Sequence, residues 1–269
     1  MDLTNLIHGI KRDSHGALPA TETTSPSASS STSKTGSAAE PSSTNPYDLH
    51  ADLFEYESLR DQDRSGLEAF TARLAPGAKL LDAGCGAGHD LLWLARKGFH
   101  VDGIDSSEQM IARAATRLSS LAGLPGASTT NLATGPATAS PAPSLLRKDL
   151  RFASLTKESL DGIWCSQVLQ HLTIDECHRV LAIYFQALRP RTGLLFASFL
   201  LGEESTDDAP VDPATTRFKD EHGRSFHRFT EKAFHSLLRQ SGFTAVLQGT
   251  RADAANPDRV WAAVLAQRA

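Results

Sequence analysis

A short glycine-rich segment constrains the fold of this chain more than any other feature of its sequence. The segment reads Asp-Ala-Gly-Cys-Gly-Ala-Gly over residues 82–88, between a short apolar run at 78–83 and a helical pattern that includes Leu91 and Leu94. Because glycine has no Cβ atom, three glycines at alternate positions let the backbone turn sharply and let a ligand lie against the peptide. The segment therefore predicts a strand, a ligand-binding turn and a helix in succession.

An acidic residue follows the glycines at a spacing typical of nucleoside recognition. Asp105 ends the next predicted strand, 99–104, about 20 residues after Gly86. A carboxylate at the end of that strand can accept hydrogen bonds from both hydroxyl groups of a ribose. The third glycine of a dinucleotide fingerprint would fall at position 89, where the chain has His89. The pattern therefore favours an adenosine-bearing ligand other than NAD or FAD.

Strand and helix signals alternate along the rest of the chain. Apolar runs at 160–165 and 194–200 read as buried strands, and the segments 243–248 and 259–265 can form an antiparallel pair near the end. Apolar residues at helical spacing lie between these runs. This order of elements predicts an α/β domain with a mainly parallel sheet that is covered on both faces.

Two helix starts are predicted from capping-box spacing. Ser106 with Gln109 opens one helix, and Thr173 with Glu176 opens another. In this arrangement the two side chains bind backbone N–H groups that the helix itself leaves without partners. The second helix has one apolar face and ends before Pro190.

Two segments are too poor in apolar residues to pack in a core. Residues 13–45 are almost wholly Ser, Thr, Ala, Pro and Gly, and residues 121–144 have a similar composition. We therefore expect a disordered tail over residues 1–46, one domain over residues 47–269 and a loop insertion at about 121–144. The insertion need not divide the domain, because loop-closure entropy grows only logarithmically with length.

Composition and charge exclude several classes of partner and site. The chain has 27 Lys and Arg against 31 Asp and Glu, so its net charge of −4 offers no basic surface for nucleic acid or an anionic membrane. Cys85, Cys165 and Cys177 lack the spacing of a zinc site or a disulfide framework. No apolar stretch approaches the roughly 20 residues of a membrane span. We expect a cytoplasmic protein without a metal centre, and the oligomeric state is open.

The glycine-rich turn followed by Asp105 resembles the cofactor site of class I S-adenosylmethionine-dependent methyltransferases, particularly the small-molecule enzymes with an unelaborated core. The likeness spans roughly residues 47–268 apart from the insertion, and it includes the segments 160–172, 187–193 and 223–231. The resemblance implies a Rossmann-like sheet of seven strands, mainly parallel, with helices on both faces and a C-terminal antiparallel pair. It also implies S-adenosylmethionine as the cofactor.

The same resemblance implies roles for individual residues. Asp82 and the backbone of the turn would lie beside the methionine part of the cofactor, and Asp105 would hold its ribose. Asp149 with Leu150 resembles the pair that closes on the adenine, and Tyr47 belongs to an N-terminal element that can cover the cofactor. The residues expected at the cofactor are Tyr47, Asp82, Gly84, Cys85, Gly86, Gly88, Asp105, Ser106, Met110, Asp149, Leu150, Ser166 and Gln167.

His171 is the candidate catalytic residue. It follows the fourth predicted strand at the sheet edge where ligands collect, and its imidazole could accept a proton from the acceptor. A histidine that packs or caps a helix explains the same position. Phe226, His227 and Arg228 are candidates for a mobile lid over the substrate, with a solvated loop as the alternative. Trp164 is interpreted as a core residue.

The sequence therefore predicts an enzyme that transfers a methyl group from S-adenosylmethionine to a small molecule and releases S-adenosylhomocysteine. A cofactor-binding module that regulates or binds a partner is the alternative on the same fold, and an NAD-dependent oxidoreductase is a third possibility. A nucleic-acid amino-methyltransferase is disfavoured, because Cys-Ser-Gln-Val stands at 165–168 in place of Asn-Pro-Pro-Tyr or Asp-Pro-Pro-Tyr. The acceptor and its reacting atom are open.

Overall fold

The computed structural model describes residues 45–60, 64–121, 142–202, 217–253 and 259–269. The predicted N-terminal tail lies outside the described residues up to position 44, as do positions 122–141 of the predicted insertion. Both predictions therefore stay predictions.

Helices and strands alternate in the predicted order. The helices are α1 (Pro46–Leu49), α2 (Ala51–Arg60), α3 (Ser65–Thr71), α4 (His89–Arg96), α5 (Glu108–Leu118), α6 (Ile174–Ala187) and α7 (Glu231–Gln240). The strands are β1 (Lys79–Ala83), β2 (His100–Asp105), β3 (Leu145–Arg147), β4 (Gly162–Cys165), β5 (Leu194–Leu200), β6 (Arg217–Lys219), β7 (Ser225–His227), β8 (Phe243–Ala252) and β9 (Val260–Arg268). Short 3₁₀ turns occupy Ser119–Leu121, Leu150–Phe152 and Leu169–His171.

A seven-stranded sheet in the order β3-β2-β1-β4-β5-β9-β8 forms the centre of the domain. The first five strands along the chain pair in parallel, whereas β9 runs antiparallel to β5 and β8 antiparallel to β9. This sheet confirms the predicted Rossmann-like fold and its C-terminal antiparallel pair. Leu200 at the end of β5 pairs with Trp261 at the start of β9, so the start of β9 shares an edge with the carboxyl ends of the parallel strands.

Apolar side chains cover both faces of the sheet. Neighbouring residues of a strand point to opposite faces, so Ile163 joins the cluster with Tyr184 of α6, and Trp164 joins the cluster with Phe70 of α3 and Leu91 of α4. All seven residues of β5 are buried, as expected for a central strand covered on both sides. The two clusters confirm the prediction of helices on both faces.

One of the two predicted helix starts is confirmed and the other is displaced by one residue. Thr173 and Glu176 form both hydrogen bonds of a capping box at α6. At α5 the cap is Ser107 instead of Ser106, because the Ser107 hydroxyl accepts the hydrogen bond of the Met110 N–H at 3.1 Å. The shift leaves Ser106 on the wall of a cleft.

The segment predicted as a mobile loop around Phe226 and His227 is instead a strand. Strand β7 pairs antiparallel with β6, and the ring of Phe226 stacks on Phe218 with their centres 5.1 Å apart. Phe226 is also buried against Leu200 and Trp261. This hairpin has little signal in the sequence, because each of its strands has only three residues.

Candidate functional site

A cleft of about 910 Å³ runs along the sheet edge where the parallel strands end. Most residues predicted at the site line it, and the structure thus brings together elements that are far apart in the sequence. The predicted residues on the cleft wall are Tyr47, Gly84, Cys85, Gly86, Asp105, Ser106, Met110, Asp149, Leu150, Ser166, Gln167 and His171. Asp82 and Gly88 are not on this wall.

Each of the three positions in the turn requires glycine for a different structural reason. All three have positive φ values. A Cβ atom at Gly84 would lie 2.4 Å from Val168 Cγ2, and one at Gly88 would lie 2.9 Å from Ala114 Cβ. At Gly86 an added Cβ would have no atom within 4 Å, on a part of the turn that lines the cleft. Gly88 therefore allows α4 and α5 to approach, whereas Gly86 leaves space for a ligand.

Asp105 connects this turn to the start of α5. Its Oδ2 accepts the Gly86 N–H at 2.9 Å and its Oδ1 accepts the Ser107 N–H at 2.8 Å. Burial raises the pKa of Asp105, and the hydrogen bonds from these two N–H groups oppose that rise. A carboxylate has about four lone-pair directions, so Asp105 can accept a hydrogen bond from a ligand in addition to those from the backbone.

Asp82 lies at the end of β1, directly before the turn. It is 3% exposed, and its Oδ2 has no hydrogen-bond partner within the described part of the chain. Burial, reinforced by the negative charges of Asp90 and Asp105, raises the pKa of Asp82 well above its usual value. The unused oxygen lies behind the turn, because Asp82 is buried and not on the cleft wall.

The raised pKa of Asp82 predicts a pH-dependent loss of stability. The folded protein binds the Asp82 proton more tightly than the unfolded chain, so this residue lowers the free energy of unfolding as the pH rises above about 4. We expect Asp82→Asn to be about 1 kcal/mol more stable than the parent at pH 7, with the difference vanishing toward pH 4. Urea unfolding of both proteins between pH 4 and pH 8 measures it. A stability difference that does not change with pH would contradict the assignment.

Asp149 has a partner that sequence reasoning missed. Its carboxylate accepts the Arg151 N–H at 2.9 Å and binds the Arg151 guanidinium through both oxygens, at 2.6 Å for the shortest contact. Arg151 also donates to Glu176 of α6 at 2.6 Å. The hydrogen bonds from Arg151 hold the pKa of Asp149 below its usual value. The predicted adenine contact of Asp149 would therefore use a carboxylate that is already fixed in place.

His171 is joined to Tyr47 by a directed chain of hydrogen bonds. Nδ1 of His171 lies 2.8 Å from the carbonyl oxygen of Ser225, and Nε2 lies 2.9 Å from the Tyr47 hydroxyl. The carbonyl can only accept, so Nδ1 carries the proton and Nε2 accepts the hydroxyl proton of Tyr47. Burial lowers the pKa of His171 to about 4 and raises that of Tyr47 to about 12. Both ring nitrogens of His171 form hydrogen bonds within the protein. A general-base role would require the Tyr47 hydroxyl to move away from Nε2, and this role stays a prediction.

The family follows from the sequence match over this site and most of the sheet. Residues 57–248 match a family model described as a methyltransferase domain. The chain belongs to this methyltransferase family. The match agrees with the class I resemblance, whose cofactor is S-adenosylmethionine. The sequence has no significant match among curated proteins.

Solved structures share the fold of this chain at low sequence identity. The 1,6-didemethyltoxoflavin-N1-methyltransferase of Burkholderia thailandensis, solved with its substrate and S-adenosylhomocysteine, has a TM-score of 0.59 at 20% identity over 86% of this chain and 93% of that one. A methyltransferase of Methanosarcina mazei has a TM-score of 0.58 at 21% identity over 74% and 96%. The [4+2]-cyclase SpnF has a TM-score of 0.60 at 17% identity over 82% and 93%. These similarities show the fold alone.

The cleft continues from Asp105 toward a wall of aromatic rings. Trp164 on β4 and Phe196 on β5 are paired in register, and their rings stack with centres 3.9 Å apart. The Trp164 Nε1–H donates to Asp90 at 2.9 Å, and Asp90 also forms an ion pair with Arg64. Trp164 is therefore both a core residue, as predicted, and part of the cleft wall.

Arg224 is a further cleft residue to which the sequence analysis gave no role. It lies next to β7, and its guanidinium contacts Asp220 on its own hairpin and Glu57 of α2. The only sequence signal was its place in the segment 223–231 of the family resemblance. A salt bridge to a residue so distant along the chain has no local pattern that could reveal it.

Neither a metal-binding cluster nor a disulfide is present among the described residues. Among them, no group of three or more His, Cys, Asp or Glu side chains could hold a metal ion. The three cysteines are buried with free thiols, and burial raises the pKa of each. In the part of the chain that the structure describes, no helix is long and apolar enough to cross a membrane.

Proposed function

We propose that this protein is an enzyme that transfers a methyl group from S-adenosylmethionine to a small-molecule acceptor and releases S-adenosylhomocysteine. The observation that carries the proposal is one continuous cleft with two different halves. The half over β1 and β2 contains the glycine turn and Asp105, and the half over β4 and β5 contains Trp164 and Phe196. One half suits the cofactor, and the other leaves room for an acceptor.

Several residues of the cofactor half support S-adenosylmethionine as its ligand. Asp105 would accept the ribose hydroxyls, and the bare peptide at Gly86 would lie against the amino-acid part of the cofactor. The unused Oδ2 of Asp82 lies behind this turn and not on the cleft wall, so the proposal assigns Asp82 no direct contact with the ligand. Asp149 and Leu150, which follow β3 and also line the cleft, would contact the adenine.

The main tasks of the protein would be to position the cofactor against the acceptor and to exclude water from the cleft. The cofactor supplies an activated methyl group, so the chemistry needs no covalent nucleophile of the protein. Tyr47 and His171 are both neutral at physiological pH and hold each other in one orientation on the cleft wall. In this role the Tyr47 hydroxyl, whose proton points to His171, offers only lone pairs to a ligand.

The aromatic half supports an acceptor with apolar surface. The stacked rings of Trp164 and Phe196 form its floor, and Trp261 lines the same cleft from β9. The Burkholderia enzyme of the same fold is bound to a small molecule, 1,6-didemethyltoxoflavin, which supports a small-molecule acceptor here.

A cofactor-binding protein without methyl transfer is the second candidate. The fold of the [4+2]-cyclase is as similar to this chain as that of the methyltransferases, so the architecture alone does not fix the reaction. Only the fate of the methyl group separates the two candidates.

Two measurements on the full chain test the proposal. Calorimetric titration with S-adenosylhomocysteine is expected to show one site per chain, with NAD as a control that should not bind. Incubation with methyl-labelled S-adenosylmethionine and fractionated metabolite extracts is expected to transfer label to a small molecule. Binding without transfer would favour the second candidate, and binding of NAD instead would overturn the assignment of the cofactor half.

A further inference from the structure

The turn between β6 and β7 holds Arg224 in one fixed position on the cleft wall. The Asp220 carboxylate accepts the N–H groups of His222 at 3.1 Å and of Arg224 at 2.8 Å, and it binds Arg224 Nε at 2.6 Å. The Asp220 N–H donates to the Arg224 carbonyl at 3.0 Å and closes the turn. The two side chains are only 10% and 13% exposed. Arg224 is therefore held by its own hairpin in addition to its contacts with other elements.

From this turn Arg224 reaches across to the N-terminal helices. Its Nη1 donates to Glu57 of α2 at 3.0 Å, and its guanidinium carbon lies 4.0 Å from the ring centre of Phe54. The same carbon lies 6.0 Å from the ring centre of Tyr47 on α1. These ion-pair and cation–π contacts join two segments that both line the cleft.

The chain from Tyr47 through His171 to Ser225 crosses the same junction. Tyr47 comes from α1, and Ser225 is the neighbour of Arg224 in the sequence. Moving α1 away from the hairpin would break this chain together with the contacts of Arg224. Both sets of contacts lie at the side of the cleft next to the glycine turn, since Tyr47 packs with Ala87 and Met110 in one apolar cluster.

A second set of ion pairs holds the same helix from outside the cleft. Arg113 of α5 donates to Asp52 at 2.6 Å and to Glu55 at 2.7 Å, both on α2. Arg113 is not on the cleft wall, and neither of these two hydrogen bonds involves the hairpin. Within the described residues, three arginines bind α2, namely Arg113 and Arg117 of α5 and Arg224, and of these only Arg224 connects it to the hairpin.

We propose that Arg224 is a positioning residue that holds α1 and α2 against the β6–β7 hairpin and so retains the cofactor in its half of the cleft. The inference rests on the proposed function for its ligand, but the junction itself is independent of any ligand. Arg224 acts here through Tyr47 and the helices.

The matched variants are Arg224→Gln and Arg113→Gln in the full chain. Stopped-flow measurement of S-adenosylhomocysteine release is expected to give a dissociation rate at least about fivefold faster for Arg224→Gln and within about twofold of the parent for Arg113→Gln. Arg224→Lys retains the charge without the planar fork, so we expect an intermediate rate. Melting temperatures of all variants separate this effect from general destabilisation. Equal release rates for the two glutamine variants would overturn the proposal.

Hydrogen exchange supplies a readout that needs no ligand. Arg224→Gln is expected to speed exchange in peptides covering both 46–58 and 217–227, whereas Arg113→Gln should affect the first segment and leave the second unchanged. Parent-like exchange of residues 46–58 in Arg224→Gln would overturn the proposal. If the parent chain bound no S-adenosylhomocysteine, the proposed function would fail, and the exchange data would still decide whether Arg224 joins the two segments.

Discussion

Asp105→Ala is expected to weaken the binding of S-adenosylhomocysteine about 100-fold, which corresponds to about 3 kcal/mol. The substitution removes a carboxylate that would accept two ribose hydroxyls, and each hydrogen bond to a charged group contributes about 1.5 kcal/mol or more. It also frees the N–H groups of Gly86 and Ser107, which now fix the turn and the start of α5. Calorimetric titration of the parent and variant measures the loss.

Asp102 supplies the control for this experiment. It lies on the same strand as Asp105 and is exposed. Its Oδ1 accepts hydrogen bonds from the backbone N–H and the hydroxyl of Ser144. Asp102→Ala is expected to bind within about twofold of the parent, because its carboxylate is not on the cleft wall. Asp105→Asn keeps the size of the side chain and guards against a folding defect in the alanine variant. Parent-like affinity in Asp105→Asn and Asp105→Ala would remove the ribose assignment.

Gly84→Ala is expected to lower the free energy of unfolding by about 3 kcal/mol. The residue has a φ of +77°, a conformation that costs a residue with a Cβ about 1 kcal/mol or more. The new Cβ would also lie 2.4 Å from Val168 Cγ2, and such overlap in a packed region typically costs about 1–3 kcal/mol. Urea unfolding at neutral pH measures the change.

Two further variants separate the two causes of this loss. Gly77 has a φ of +71° and no atom within 4 Å of an added Cβ, so Gly77→Ala should show the backbone strain alone, about 1 kcal/mol. Removing the clashing methyl groups with Val168→Ala should reduce the effect of Gly84→Ala to a similar value. If Gly84→Ala had the same effect in both backgrounds, close packing against Val168 would not be the reason for a glycine here.

Some features that position the site could be predicted from short stretches of sequence. The strand, the glycine turn and the start of α4 occupy adjacent residues, and the need for positive φ at Gly84 and Gly86 is a property of the local backbone. The same holds for the capping box at Thr173. Asp105 was predictable because its distance from the turn is set by one helix and one strand.

Errors arose where side chains in adjacent positions compete for one local role. Ser106 and Ser107 each have a hydroxyl group that could cap α5. The folded backbone places Ser107 at the N-cap position and so decides between them. The sequence around β7 reads as a loop, because a strand of three residues gives no period to recognise. The pairing of β6 with β7 depends on Phe226, which is buried against distant strands.

The sequence by itself determined the α/β fold, the glycine turn and the position of Asp105 after it, since each depends on residues close together along the chain. Only the tertiary structure decided which partners these groups have. Tyr47 and His171 are 124 positions apart, and Arg224 and Glu57 are 167 positions apart. Such contacts form when separate elements pack at one edge of the sheet, and local propensity and spacing carry no information about them. The proton on His171 and the junction at Arg224 therefore follow from packing and not from any motif.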